Sequence, residues 1–168
     1  MFYTCNNIIE IDLSNFDTSQ VTDMGLIFAC CSSRISLNIS NFNTSLVTSM
    51  GYMFNSCSLL KSLNLSHFNT SKVTNMHRMF ECCSSLRNLD LLSFDVSQVT
   101  DMGDMFGRCS SLTSLNLLNF YSPKVIYMES MFAGCKSLIS LNLSTLDISA
   151  VTSIDYMFSR SSKLEYIN

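Results

Sequence analysis

The sequence predicts an α/β solenoid: a stack of rungs, each with one short parallel strand and one short helix. Three observations predict it. The first is self-similarity at a fixed period. Residues 11–36 align without gaps to 37–62, 63–88, 89–114, 115–140 and 141–166, which makes six full copies. The second is that apolar residues recur at the same places in the pattern LxLSxFDTSxVTxMxxMFxxCSSLxS. One copy cannot bury its apolar side alone, so stacked copies share a continuous core. The third is composition. Of 168 residues, 47% are hydrophobic and only 14% are charged, well under the ~25% charged usual for soluble domains. Surface polarity therefore comes from Ser, Thr and Asn.

Composition also excludes whole classes. The chain is too apolar to be disordered by low hydrophobicity and high charge. A net charge of −3 gives no footprint for nucleic acid or an anionic membrane. No apolar run approaches the ~18 residues that read as a membrane span, so no membrane insertion is expected. The opening MFYTCNNIIE lacks the basic-then-apolar order of a signal peptide.

The elements follow in chain order. Residues 1–10 are a partial rung in which Phe2, Cys5 and Ile8 keep the repeat register, and 167–168 begin a further one. The chain is one array, 1–168, with no linker. Within a rung, Leu115 and Leu117 alternate with polar or outward residues, a period-2 signal for a short strand. Stacked strands make a parallel sheet with neighbours ~4.8 Å apart, about 30 Å of strand face in all. Asp12, Asn38, Asn64, Asp90, Asn116 and Asn142 lie between the two inward strand residues and must point outward. Next comes FDTS or a variant, whose Asp, Thr and Ser side chains favour turns by bonding nearby backbone. Met102, Met105, Phe106 and Cys109 then fall at i, i+3, i+4 and i+7, the stripe of a short helix with one buried face. Thr100 or Asp101 would cap it. Two serines end it, and Leu112 leads into the next strand.

With its LxxLxL strand and trailing VTxMxxMFxxCSSL segment, the chain resembles the BspA-like leucine-rich repeats over its whole length. One departure concerns the residue three after LxL. Ordinary leucine-rich repeats place Asn or Cys there; this chain has Phe16, Phe42, Phe68, Phe94, Phe120 and Leu146. An aromatic ladder is expected in place of a buried Asn ladder. The resemblance implies an extracellular or cell-surface location and a role in adhesion or protein contact.

The columns each carry a structural and a chemical reading. Cys5, Cys31, Cys57, Cys83, Cys109 and Cys135 recur at one place in successive copies, and Ser161 breaks the series. One thiol per rung does not match the paired spacing of a zinc site. The column reads as small buried hydrophobes, with rung-to-rung disulfides the alternative. The Met and Phe columns read as core, so no cofactor is expected. The Asp/Asn column reads as a solvated face or as a binding face. Leu92 and Leu118 interrupt its flanking serines and make the fourth and fifth rungs more apolar. N-x-S/T sequons stand at Asn38, Asn43, Asn64, Asn69 and Asn142, candidate glycosylation sites if the chain is secreted.

Catalytic constellations are missing. The two His, His67 and His77, occupy different columns, and with only five Gly there is no phosphate-cradling loop. The expected function is a non-enzymatic scaffold that contacts protein or glycan across its strand face. The alternative is a structural subunit that joins further copies of itself end to end into a filament.

Overall fold

In the computed structural model, residues 2–5, 11–33 and 37–168 are described. The expected Ile8 of the partial rung and residues 34–36 of the first full rung lie outside them.

The rungs stack as a solenoid in register. Parallel bridges link Asp23, Ser49, Asn75, Asp101, Tyr127 and Ser153, each one repeat on from the last. A single core runs along the stack. It contains the LxL leucines, the Val47, Val73, Val99 and Val125 column, and the Met, Phe and Cys columns. Phe2, Phe28, Phe54, Phe80, Phe106, Phe132 and Phe158 form one file of nearly parallel rings, centroids 5.6–5.8 Å apart. That is an offset stack, which adds a modest ring–ring term to the area each ring buries.

The helix expected in each rung is corrected: the described residues contain none. Met102, Met105, Phe106 and Cys109 are each fully buried, as a helical stripe would place them, but the backbone beneath them is a chain of tight turns. In the second rung, Met53, Asn55 and Cys57 donate their N–H groups three residues back, to Met50, Tyr52 and Phe54. The N–H groups between them point to the next rung: Met50 to Asn75 O, Tyr52 to His77 O, Phe54 to Met79 O and Ser56 to Glu81 O, at 2.7–2.9 Å. The physical reason is spacing. Packed helices need ~8–10 Å between axes, whereas the ring file repeats at 5.6–5.8 Å. An isolated two-turn helix also satisfies few of its own bonds, while the next rung offers carbonyls at the right interval.

This alternation requires two left-handed residues per rung. Leu26 and Cys30, Tyr52 and Ser56, Arg78 and Cys82, Asp104 and Arg108, and Tyr156 and Arg160 all have φ of 54–62°, and in the fifth rung Ser130 is joined by Gly134 at 74°. A non-glycine residue in this region costs ~1–2 kcal/mol. The cost is offset because in each rung that has a following one the left-handed residues donate their N–H to it, as Asp104 does to Glu129 O and Arg108 to Ala133 O.

The strand expected in every rung is also corrected. Paired strands are formed only by β1 (Ser140–Leu141) and β2 (Tyr166–Ile167) among the described residues, parallel with Ser140 opposite Tyr166. In earlier rungs side chains take the place of ladder bonds. The Asp or Asn between the two leucines accepts the N–H two residues on, as Asn64 does from Ser66. The polar residue just before the Phe, or before Leu146 in the sixth rung, reaches back to a carbonyl of the preceding rung. Asn41 Nδ2 bonds Leu13 O, His67 Nε2 bonds Ile39 O, and Ser93, Asn119 and Thr145 bond Leu65, Leu92 and Leu117 O. A polar ladder therefore exists beside the aromatic one. Phe42, Phe68, Phe94 and Phe120 are buried next to it.

Candidate functional site

Two surfaces of the solenoid carry exposed, regularly spaced chemistry. The first is the Asp/Asn edge expected from the sequence. Asp12, Asn38, Asn64, Asp90 and Asn116 are exposed and Asn142 half-buried. Each has its Oδ1 engaged by the N–H two residues on: Ser14, Ser40, Ser66, Leu92, Leu118 and Ser144 respectively. The Ser14 hydroxyl and N–H hold the Asp12 carboxyl below the usual carboxylate range. A recess of about 370 Å³ opens among Asp12, Ser14, Asn38, Ser40 and Asn41. In the fourth and fifth rungs the same edge is more apolar: Leu92 and Leu118 are 50% and 51% exposed, and Tyr121 in the turn that follows is 60% exposed.

The sequon asparagines Asn43 and Asn69 lie outside this edge, in the following turn. Both are exposed, and their Oδ1 atoms accept from Ser45 and Ser71. The threonines beside them are not surface turn residues. Thr18, Thr44 and Thr70 are buried, and each hydroxyl both accepts the N–H and donates to the carbonyl of one residue in the next rung. Val96 and Ser122 follow in this column, and the buried Ser122 Oγ has no partner.

The cysteine column is an internal hydrogen-bond ladder. The Sγ of Cys31, Cys57, Cys83, Cys109 and Cys135 donates to the carbonyl of Phe2, Phe28, Phe54, Phe80 and Phe106 at 3.1–3.2 Å. Cys5 at the first position is half-buried. Ser161 makes the equivalent bond to Phe132 O at 2.7 Å, so it extends the ladder rather than interrupting it. Burial pushes the Cys83 and Cys109 thiols well up, and Cys135 to about 12. These thiols stay protonated and are poor nucleophiles.

The second surface escaped sequence reasoning. An open groove of about 870 Å³ crosses the rungs on the side of the left-handed turns. Ser32, Ser58, Ser84 and Ser110 form one wall; the hydroxyls of Ser84 and Ser110 bond the serine carbonyls one rung back. Gly134, Ala133 and Cys82 contribute to the lining, and Arg108, Lys136, Arg160 and Tyr156 border the groove. Left-handed backbone at Arg108 and Arg160 turns these side chains outward. The signal was present but faint: three cations replace Ser or Cys in the two columns that flank the cysteine ladder, within the last three full rungs. Three of the ten Lys and Arg thus gather in one groove.

An ion-pair network adjoins the groove through Arg108. Arg78 bridges Glu81 and Asp104, and Arg108 bonds Glu81 at 3.2 Å. Burial works against the Arg78 charge, but Glu81 and Asp104 more than compensate and raise its pKa. His77 Nδ1 lies 3.1 Å from Asp101 Oδ1. Among the described residues no three His, Cys, Asp or Glu side chains converge as metal ligands, and no helix is long and apolar enough to cross a membrane.

Rungs with inward leucines, stacked in register around one core, define the leucine-rich-repeat solenoids. A leucine-rich repeat protein of T. pallidum, TpLRR, shares this fold with a TM-score of 0.61 at 23% identity, over 92% of this chain and 66% of that one. A leucine-rich repeat protein from Bacteroides ovatus ATCC 8483 is less similar, with a TM-score of 0.42 at 20% identity, over 80% of this chain and 41% of that one. The chain thus spans less than two thirds of the length of either. It belongs to the family described as Mycoplasma protein of unknown function, DUF285, which matches residues 1–116 and 57–167. Comparison with curated proteins gives no match.

Proposed function

We propose that this protein is a non-enzymatic repeat scaffold, displayed outside the cell, that holds a protein partner against its Asp/Asn edge. The observation that carries the reading is the apolar stretch of that edge. Leu92 and Leu118, in one column of adjacent rungs, are half exposed beside Tyr121, and Asp90 and Asn116 supply polar groups next to them. Apolar side chains grouped on a surface and rimmed by polar ones mark protein contacts. The rigid core beneath fixes their spacing, which reduces the ordering cost of binding. Display outside the cell is supported by the BspA-like character of the motif.

The test is binding of the purified chain to a panel of intact cells, before and after protease has stripped their surface proteins. Saturable binding is expected, lost after stripping and reduced at least tenfold in the Leu92→Glu, Leu118→Glu double variant. Equal binding by that variant, or binding that survives stripping, would overturn the reading.

A further inference from the structure

We propose that the groove beside the left-handed turns is a second binding site, one that takes an acidic polysaccharide. The first argument is charge. The chain carries a net −3, yet the groove is bordered by Arg108, Lys136 and Arg160 and by no carboxylate. Two acidic groups beside it, Glu81 and Asp104, are already held by Arg78 and Arg108. Arg108 remains 73% exposed while it bonds Glu81, so its outer face is open to a ligand. The cations stand in successive rungs, which the ring file spaces at 5.6–5.7 Å. A flexible, one-sided row of this kind matches a polymer with repeated anionic groups, and guanidinium is the better partner for a planar carboxylate or a sulfate.

The second argument separates a glycan from an acidic peptide. Extended peptides gain affinity by adding main-chain bonds to an open edge, and the groove's backbone offers few. The N–H groups of Arg108, Gly134, Ser110 and Lys136 are consumed by Ala133, Ser159, Arg108 and Gly134 carbonyls at 2.6–2.9 Å. The groove presents hydroxyl oxygens instead, from Ser84 and Ser110, which spend their hydrogens on carbonyls one rung back and can still accept, and from Ser130 and Ser159, together with the 76% exposed Tyr156 ring. Hydroxyl-rich walls with one aromatic face suit a sugar. The groove, at about 870 Å³, falls within the ~300–1,000 Å³ typical of ligand sites.

The experiment uses polygalacturonate, neutral dextran and poly-glutamate as probes of the whole chain, by titration at low and moderate salt. The expected result is binding of polygalacturonate that weakens with salt, no binding of dextran, and weak binding of poly-glutamate. The double variant Lys136→Glu, Arg160→Glu should lose at least tenfold in affinity. The control Lys61→Glu, Lys72→Glu, which changes charge equally on exposed residues outside the groove, should stay within twofold. Three results would overturn the proposal: no binding of polygalacturonate, equal loss in both charge variants, or poly-glutamate binding as tightly as the glycan. The Leu92→Glu, Leu118→Glu variant should bind polygalacturonate normally, so this site and the protein-contact edge succeed or fail separately.

Discussion

The two long sides of the solenoid solve the same problem differently. On the Met–Phe–Cys side the main chain bonds rung to rung at every second residue, from Met50, Tyr52, Phe54 and Ser56 onward. On the Leu–Asx–Leu side, side chains do most of that work, through Asx turns and the Asn41, His67, Ser93, Asn119 and Thr145 ladder. The difference teaches where sequence is free to vary. A main-chain ladder makes no demand on side-chain identity, so a left-handed column can become Arg, as at Arg108 and Arg160, and the serine column two residues on can become Lys136, which together build a groove. A side-chain ladder must stay polar, and variation there passes to the neighbouring outward column, where Leu92 and Leu118 appear.

The sharpest way to break this comparison is to excavate each side. Phe80→Ala removes one ring from the middle of the file and should cost about 4 kcal/mol. Leu65→Ala on the opposite side should cost about 3 kcal/mol. Urea unfolding of both would reverse the ranking if the Leu–Asx–Leu side held the stack. Alkali should act next most strongly, and on the Met–Phe–Cys side alone. Folding raises the thiol pKa values above their ordinary 9.0, so their contribution is complete below pH 9 and is lost as pH climbs from there toward the folded values, about 12 for Cys135. Cys109→Ser should remove that thiol's share of the loss, leaving those of Cys83 and Cys135, while keeping the bond to Phe80 O, because Ser161 makes the same bond. Thermal melts across that pH range would show it.

Smaller effects sharpen the picture further. Ser122→Val should stabilise by about 1 kcal/mol, since an unpartnered buried hydroxyl is removed and Val96 fills the same place one rung earlier. Leu26→Gly should stabilise by a similar ~1 kcal/mol by relieving left-handed strain at a half-exposed side chain; no gain would mean that the turn carries little strain. Acid should do least. Asp95 and Asp147 are held below 3.8 by the hydroxyl and N–H of Ser97 and Ser149. Their contribution is present above that pH and fades as pH falls through the lower folded values. Asp95→Asn, which copies Asn43 and Asn69, should keep the turn and lose that share of the pH dependence.

The register, the core columns and the outward Asp/Asn edge were legible in the sequence because side-chain periodicity records burial. The backbone path was not. An apolar i, i+3, i+4, i+7 stripe is the same whether it covers a helix or a run of turns, and only the 5.6–5.8 Å ring spacing rules the helix out. The left-handed positions gave little warning either, because Gly134 alone among the paired positions is a glycine, and Leu, Tyr, Arg, Asp, Ser and Cys occupy the others. The polar ladder hid behind variety, since Asn, His, Ser and Thr all deliver one hydrogen bond from the same place. The groove hid because its cations enter column by column and look like drift within any single rung.

The forward-directed main-chain bonds have a genetic consequence. Those of the left-handed segment run from each rung to the matching stretch of its successor, as Tyr52 to His77, Arg78 to Gly103 and Asp104 to Glu129. One rung therefore presents to the next the donors it was itself presented with. Duplicating or deleting one whole repeat of coding sequence within the array joins matching surfaces and needs no compensating change at the seam. Such an array can lengthen or shorten by recombination in whole steps, and carry a new groove or edge to a different height on the stack without refolding the rest.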